Sequence, residues 1–315
     1  MMQFESCQKD KFHVVTCISN PVRYQKRYEL YKKFVEHMKQ SGVNLHTIEL
    51  QTGDRPFAIT DACNPHHIQV RNWDILWHKE NLLNIAISKL PCDWETVAWI
   101  DADVEFVRRD WVEETLHQLQ IYQVVQMFET AIDLGPTGQT LAVHKSFMSE
   151  YIKGGSFHPE SQYHEKHPGF CFAARREAID GMGGLYERAI LGAGDRHMAL
   201  AFIGKLDQSL VKGMHGAYVR DLKRFEERCE KTIRRDVGFV PGTILHYWHG
   251  KKKDRRYFDR WKVLIKNHYH PHFDIKKDSY GVFNFHDDGS YRFLRLRDEI
   301  RHYMSQRNED STDLI

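Results

Sequence analysis

No uninterrupted run of about 18 apolar residues occurs in the sequence, so no segment reads as a membrane-spanning helix. The start, MMQFESCQKDKF, has neither an apolar stretch nor a stop-transfer pattern, which speaks against a secretory signal. A soluble, cytoplasmic protein is the expectation. The six cysteines, Cys7, Cys17, Cys63, Cys92, Cys171 and Cys229, form no C-x-x-C pair. Their spacing argues against a structural zinc cluster and a disulfide framework, and buried reduced thiols are expected. Net charge is also scarce, at +2 over 315 residues, and neither an internal repeat nor a clear linker is visible. With 41% hydrophobic and 28% charged residues, the chain is neither a staple-dependent miniprotein nor mainly disordered. Two things are abundant. There are twenty histidines, and charge is segregated: residues 220–260 hold thirteen Lys or Arg against seven Asp or Glu, +6, which leaves −4 elsewhere.

Strand and helix patterns alternate along the first half. His13 to Ile18 is an apolar strand, and Asn20-Pro21 a turn. Tyr24, Tyr28, Tyr31, Val35 and Met38 then recur at helical spacing up to Gly42. A strand over 43–50 and a polar loop precede a helix carrying Leu82, Leu83, Ala86 and Leu90, stopped by Pro91. The stretch from Thr96 to Val104 reads as one strand ending in two acids. Asp110 and Glu113 resemble a capping box for a helix through Leu119, followed by a strand over 124–128. Residues 133–170 read as a long loop with one short helix over 147–152. A strand over 170–174, a helix to Gly181, a glycine-rich turn at 192–194, a helix over 195–202 and a strand over 243–248 follow. The fold expected is an α/β domain over 1–265, with a peripheral helical extension over 266–315 packed on it or trailing from it.

Three groups of residues could carry chemistry. Asp101 and Asp103 stand at a strand's carboxyl end, where open α/β sheets bind ligands, and two such acids call for a compensating cation. A solvated strand end before a turn would account for them equally well. His246 and His249 flank the end of the last strand, before Lys251, Lys252, Lys253, Arg255 and Arg256. Imidazole with carboxylate suits Mn²⁺ or a similar ion, and the cations suit a diphosphate; a solvated basic run is the plainer alternative. In Gly192-Ala-Gly-Asp195, Asp195 is either a helix cap or a general base. Trp73, Trp77, Tyr247 and Trp248 are candidates for stacking on a base or sugar, or else core aromatics.

In this order, these pieces resemble the GT-A fold glycosyltransferases, in particular the β-1,4-galactosyltransferase type and related viral and bacterial enzymes. The resemblance implies a GT-A (Rossmann-like) mixed central sheet flanked by helices. It implies a nucleotide-binding first strand and loop over His13 to Pro21, with Thr16 and with Arg23 or Arg27. Lys79 to Asn84, with Lys79 and Asn81 as donor contacts, is similar to the segment that precedes the family's Asp-x-Asp, here Asp101 to Asp103. The resemblance makes Asp103 a metal ligand and places Asp101 nearer the ribose or the metal's water shell. Gly169 falls in the strand of the sugar pocket, and Asp195 takes the place of the base. Arg196 and His197 stand where the family often has further acids. His246 and His249 match the late metal ligands, with Mn²⁺ or Mg²⁺ as the ion and Lys251, Arg255 and Arg256 at the diphosphate. His158, His164 and His167, with Gly194 and Arg196, fall on the acceptor side.

The reaction implied moves a sugar from a nucleoside-diphosphate sugar, with UDP-sugars favoured, to an acceptor hydroxyl with inversion. The acceptor would be a glycan, a lipid-linked sugar or another polymer. The basic stretch makes an anionic acceptor plausible, including hydroxymethylated phage DNA, and a viral source would place the protein in the host cytoplasm. A nucleotidyltransferase and a metal-stabilised nucleic-acid-binding module are the other readings.

Overall fold

The computed structural model describes residues 9–155, 166–257 and 259–314. Among these, a seven-stranded sheet in the order β11-β6-β10-β4-β1-β2-β3 forms the centre. Its strands are β1 (Phe12–Ser19), β2 (Asn44–Thr52), β3 (His67–Asn72), β4 (Thr96–Ile100), β6 (Val124–Gln126), β10 (Cys171–Arg175) and β11 (Val237–Phe239). β1 runs parallel to β2 and β4, while β10 runs antiparallel between β4 and β6. The sheet is therefore mixed, with helices on its faces, as the sequence pattern led us to expect.

Side-chain alternation explains why both faces are covered. Val15, Val97, Trp99 and Phe172 enter one apolar cluster, while Val14, Ala98, Ile100 and Ala173 enter the other. Helix α1 (Gln25–Gln40) buries Leu30, Phe34 and Met38, one per turn, and ends before Gly42, whose φ of +65° favours glycine. Helix α2 (Lys79–Ile87) is buried along most of its length, and α3 (Trp111–Ile121) anchors the second cluster through Trp111. The Trp111 ring stacks on Phe106 at 4.3 Å, and its Nε1 donates to Ser41 Oγ at 2.9 Å.

A second sheet, β5-β12-β7-β8-β9, adjoins the first. It contains β5 (Val104–Phe106), β7 (Thr130–Leu134), β8 (Thr140–Ser146), β9 (Lys166–His167) and β12 (Thr243–His246). Here the chain departs from the sequence reading. The single strand expected over 96–104 breaks at Ile100, because β4 stays with β10 while β5 turns away to pair with β12. Asp101 to Asp103 therefore form the turn between two sheets, and do not share one face of a strand.

The loop expected over 133–170 contains the β7–β8 hairpin and helix α4 (Phe147–Ile152). Its pattern is inverted: Leu141 and Val143 are 45% and 55% exposed, whereas His144 and Ser146 point inward. No apolar-inward signal existed to be read. β3 likewise lies in what reads as polar loop. Asp110 makes no cap bond, and its carboxylate takes Arg108 at 2.7–2.8 Å instead.

Helices α5 (Arg176–Met182), α6 (Gly194–Phe202) and α7 (Gly216–Thr232) cover one face. The sequence reading passed over α7 because the charge density of VRDLKRFEER hid its buried stripe of Tyr218, Leu222, Phe225 and Cys229. Helix α8 (Asp259–Lys266), the β13–β14 hairpin (Ile275–Lys277, Phe283–Phe285) and α9 (Tyr291–Ser305) then return the chain to the carboxyl edge of the large sheet. Trp111→Ala empties the centre of the second cluster, and we expect it to cost about 3–5 kcal/mol. A lowered urea midpoint with native-like circular dichroism in water checks this.

Candidate active site

A cavity of about 1190 Å³ opens at the carboxyl edge of β1 and β4. The loop after β1, the Asp101–Asp103 turn, Gly169, Asp195, His246 at the end of β12 and His249 just after it all line it. Residues far apart in the sequence thus meet because strand ends and the crossing second sheet point to one place.

Asp103, His246 and His249 form the tightest group. His249 Nε2 lies 3.0 Å from Asp103 Oδ2 and 3.2 Å from His246 Nε2, and His246 Nε2 is 3.9 Å from Asp103 Oδ1. One ligand atom from each lies within 4.8 Å of the others. Asp103 Oδ1 is buried with no hydrogen-bond partner among the described residues. Burial works against its charge, but His249, His246 and Arg255 outweigh this and hold Asp103 well below the usual carboxylate range. Burial lowers His246, which favours the neutral, ligating imidazole. His246 Nδ1 donates to Asp133 Oδ1 at 2.7 Å, leaving the Nε2 lone pair facing the group. One carboxylate and two imidazoles fit Mn²⁺ or a similar divalent ion.

The sequence reading missed Asp133. Its carboxylate also meets His144 Nε2 at 2.6 Å and the Lys252 ammonium. Burial would raise it, and these hydrogen bonds and charges pull it far down instead. Asp133 faces His246 across the parallel β7–β12 register, which no local pattern announces.

Asp101 does not join the metal group. Its Oδ1 takes Lys79 Nζ at 2.6 Å, and the same ammonium lies 3.2 Å from Asp195 Oδ1. Burial resists charge on Lys79, but Asp101 and Asp195 hold its pKa well above normal. Burial pushes Asp101 up to about 6, with Lys79 opposing the shift and Asp195 adding to it. Asp195 sits in the first turn of α6 and does not cap it, since Ala193 occupies the cap position. A methyl group at Gly169 would lie 2.9 Å from Asp195 Oδ2, so glycine is what lets this carboxylate approach β10. Beneath lies Glu80, buried, with Oε1 unpartnered among the described residues and its pKa pushed up to about 8 by burial and then by Asp195.

The remaining expected residues divide. Lys252, Lys253, Arg255 and Arg256 line the cavity, but Lys251 does not. Arg255 Nη2 reaches His249 Nε2 at 2.8 Å, and its buried Nε has no partner among the described residues. Arg27 lines the wall, bound to Glu309. Thr16 is buried and donates to the Ile100 carbonyl at 2.7 Å, away from the cavity. Asn81 is likewise occupied, by Glu187 and the Gly281 carbonyl at 3.0 Å each. Gly194 packs against Glu80, while Arg196 lines the cavity with Nη2 on the Gln208 carbonyl at 2.9 Å.

His167 lines the cavity, stacked on Phe170 at 3.7 Å. His158 and His164 lie outside the described residues. Trp77 lines the cavity, whereas Trp73, 70% exposed, Tyr247 and Trp248 do not. Arg260, Arg307 and Glu309 line it without having been anticipated. Among the lining residues, ten Lys or Arg face four Asp or Glu, 10 − 4 = +6, which suits a polyanion. No helix among the described residues is long and apolar enough to cross a membrane.

No family model and no curated protein matches the chain. Solved structures do, loosely. A Drosophila β1,4-galactosyltransferase 7 variant with manganese, UDP-Gal and xylobiose is 17% identical, over 64% of this chain and 63% of that one, with a TM-score of 0.32. The Staphylococcus aureus TarS fragment with UDP-GlcNAc is 9% identical over 60% and 52%, with a TM-score of 0.36. A putative nucleotide-diphospho-sugar transferase from Desulfovibrio desulfuricans is 12% identical over 93% and 98%, with a TM-score of 0.31. The chain spans 62–63% of the length of the β1,4-galactosyltransferase 7 structures.

Glu80 generates a pH-dependent expectation. The native protein keeps the Glu80 proton up to about pH 8, whereas the unfolded chain releases it near the ordinary glutamate value, so native stability falls as pH rises between them. Glu80→Gln lacks this loss. Its stability relative to wild type should grow from pH 5 to pH 8 and then level off. Urea unfolding at pH 5, 7 and 9 measures it, and a pH-independent difference would contradict the burial effect.

Proposed function

We propose that the protein is a metal-dependent glycosyltransferase that moves a sugar from a nucleoside-diphosphate sugar, UDP-sugars being the first to test, to an acceptor hydroxyl with inversion at the anomeric carbon. The observation that carries this reading is the meeting, in one cavity, of the Asp103–His246–His249 group, a cluster of cations and the Lys79-held carboxylate of Asp195. Asp103, His246 and His249 would hold a divalent cation, which would supply charge neutralisation for the donor's diphosphate. Lys252, Lys253, Arg255 and Arg256 add donors for phosphate oxygens, and the unpartnered buried Nε of Arg255 is suited to one. The loop after β1 takes the nucleoside.

Asp195 accepts the proton of the acceptor hydroxyl. The hydroxyl oxygen bonds to the anomeric carbon as the bond to the diphosphate oxygen breaks and its electron pair leaves with the diphosphate. Lys79, joined to both Asp195 and Asp101, fixes the direction of the base. Arg196 and His167 stand on the acceptor side, and the acceptor is a hydroxyl of a glycan or another polymer. Residues 1–265 form the catalytic domain in this reading, and 266–315 an extension packed on it. Nucleotidyl transfer with two metals would want clustered acids, and Asp101 is taken by Lys79.

A thermal-shift screen of nucleoside-diphosphate sugars should show stabilisation only with Mn²⁺ or Mg²⁺, by about 2.7 kcal/mol at a hundred times Kd. Asp103→Ala and His249→Ala should each abolish metal-dependent donor hydrolysis. Asp195→Asn should cut kcat by roughly 10²–10⁴-fold while sparing donor KM. Wild-type activity in both ligand variants after chelation and metal restoration would sink the assignment.

A further inference from the structure

The segment that follows α9 lines the cavity with Arg307 and Glu309 and passes behind the metal group. Glu309 is 1% exposed. Its two carboxylate oxygens take the Nε and Nη2 of Arg27, the second at 2.8 Å, and Oε1 forms an ion pair with Arg307, 2.8 Å from its Nε. Oε2 lies 3.7 Å from Nδ1 of His249. His246 has a tighter counterpart: Asp133 Oδ1 lies 2.7 Å from its Nδ1, whereas Glu309 Oε2 stands 3.7 Å from Nδ1 of His249, with Arg255 Nη2 3.3 Å from the same nitrogen. A carboxylate behind an imidazole keeps the proton on the near nitrogen, turns the ring, and leaves the far nitrogen for a metal.

The segment carrying Glu309 is fixed at several points. Asp310 accepts the backbone N–H groups of Gln25 and Lys26 at 3.0 and 2.8 Å, capping α1 where Tyr24 supplies no side-chain cap. Trp248 Nε1 donates to the Ser311 carbonyl at 2.6 Å. Gly250, at φ +83°, passes so close that a methyl group there would lie 2.7 Å from the Asn308 carbonyl oxygen. Tyr303 Oη donates to the Arg255 carbonyl at 2.7 Å. The two residues on either side of His249 in the cavity wall, Trp248 and Gly250, are thus both clasped by this strap.

We propose that Glu309 is a positioning residue for the metal ligand His249, and that the strap over 303–311 is a working part of the site. The proposal rests on the metal reading given above. Glu309 orients the imidazole, and Asp310, by tying the strap to α1, holds Glu309 in place. The strap also sets the Arg255 turn, so the same few residues govern the ligand and the neighbouring guanidinium.

The test is an electron paramagnetic resonance titration of Mn²⁺ into the full chain, well below the melting temperature, with near-ultraviolet circular dichroism as the check of fold. Glu309→Gln should weaken Mn²⁺ binding about 10–100-fold in folded protein. Asp310→Ala, which keeps the Glu309 carboxylate but loosens its strap, should weaken it by less. A role in stability alone would lower the melting temperature and leave Mn²⁺ affinity as in wild type, and that result overturns the proposal. If Glu309→Gln fails to fold, the Asp310→Ala titration decides, with unchanged affinity again overturning it. A wild-type chain that binds neither Mn²⁺ nor Mg²⁺ would overturn the metal reading itself, which a selective failure of Glu309→Gln to weaken binding would not.

Discussion

A buried carboxylate is costly unless donors surround it, and the arrangement around Asp133 meets that condition with three partners at once. His144, His246 and Lys252 converge on its two oxygens from β8, β12 and the basic turn. Removing the carboxylate would take away the one acceptor on which all three converge. The register of β7 against both neighbours, the tautomer of His246 and the placement of the basic turn all depend on this one side chain. Through His246 it also determines where Asp103 and His249 can meet.

A second cluster of compensated charge lies across the cavity. Lys79 stands between Asp101 and Asp195, and Glu80 lies beneath with its proton retained. Two acids and an ammonium in a buried strand-to-turn junction hold each other's geometry, which separates Asp101 from the metal group even though only Ala102 divides it from Asp103. The break between β4 and β5 makes that separation possible. A continuous strand would have aimed both carboxylates the same way.

The third element is the return of the chain's end. Glu309 sits between Arg27 and Arg307, with His249 alongside, so this segment pairs a buried carboxylate with a guanidinium of the first helix beside the turn after β12. The resemblance offered Arg23 or Arg27 for the nucleotide side, but the carboxylate partner of Arg27 had no signal, because the pair is joined only by the packing of α9 and the strap against α1.

The sequence by itself determined which side chains could do chemistry. Asp103, Asp195, His246 and His249 stand at strand ends or a glycine-rich turn, features with local signatures, while Lys79 and Gly169 were implied only by the resemblance, and the cavity collects all six. It also determined the parallel strands β1, β2 and β4, whose apolar runs need no partner to be recognised, though not β3 or β11. Only the tertiary structure decided which of two nearby acids meets His246 and His249 and which faces a lysine. It alone placed Thr16 and Asn81 away from the cavity, and Asp133 and Glu309 behind the two imidazoles. The physical reason is that ligand identity is a property of one residue and its neighbours in the chain, whereas orientation and charge compensation come from residues that meet only across strand registers and through a returning terminus.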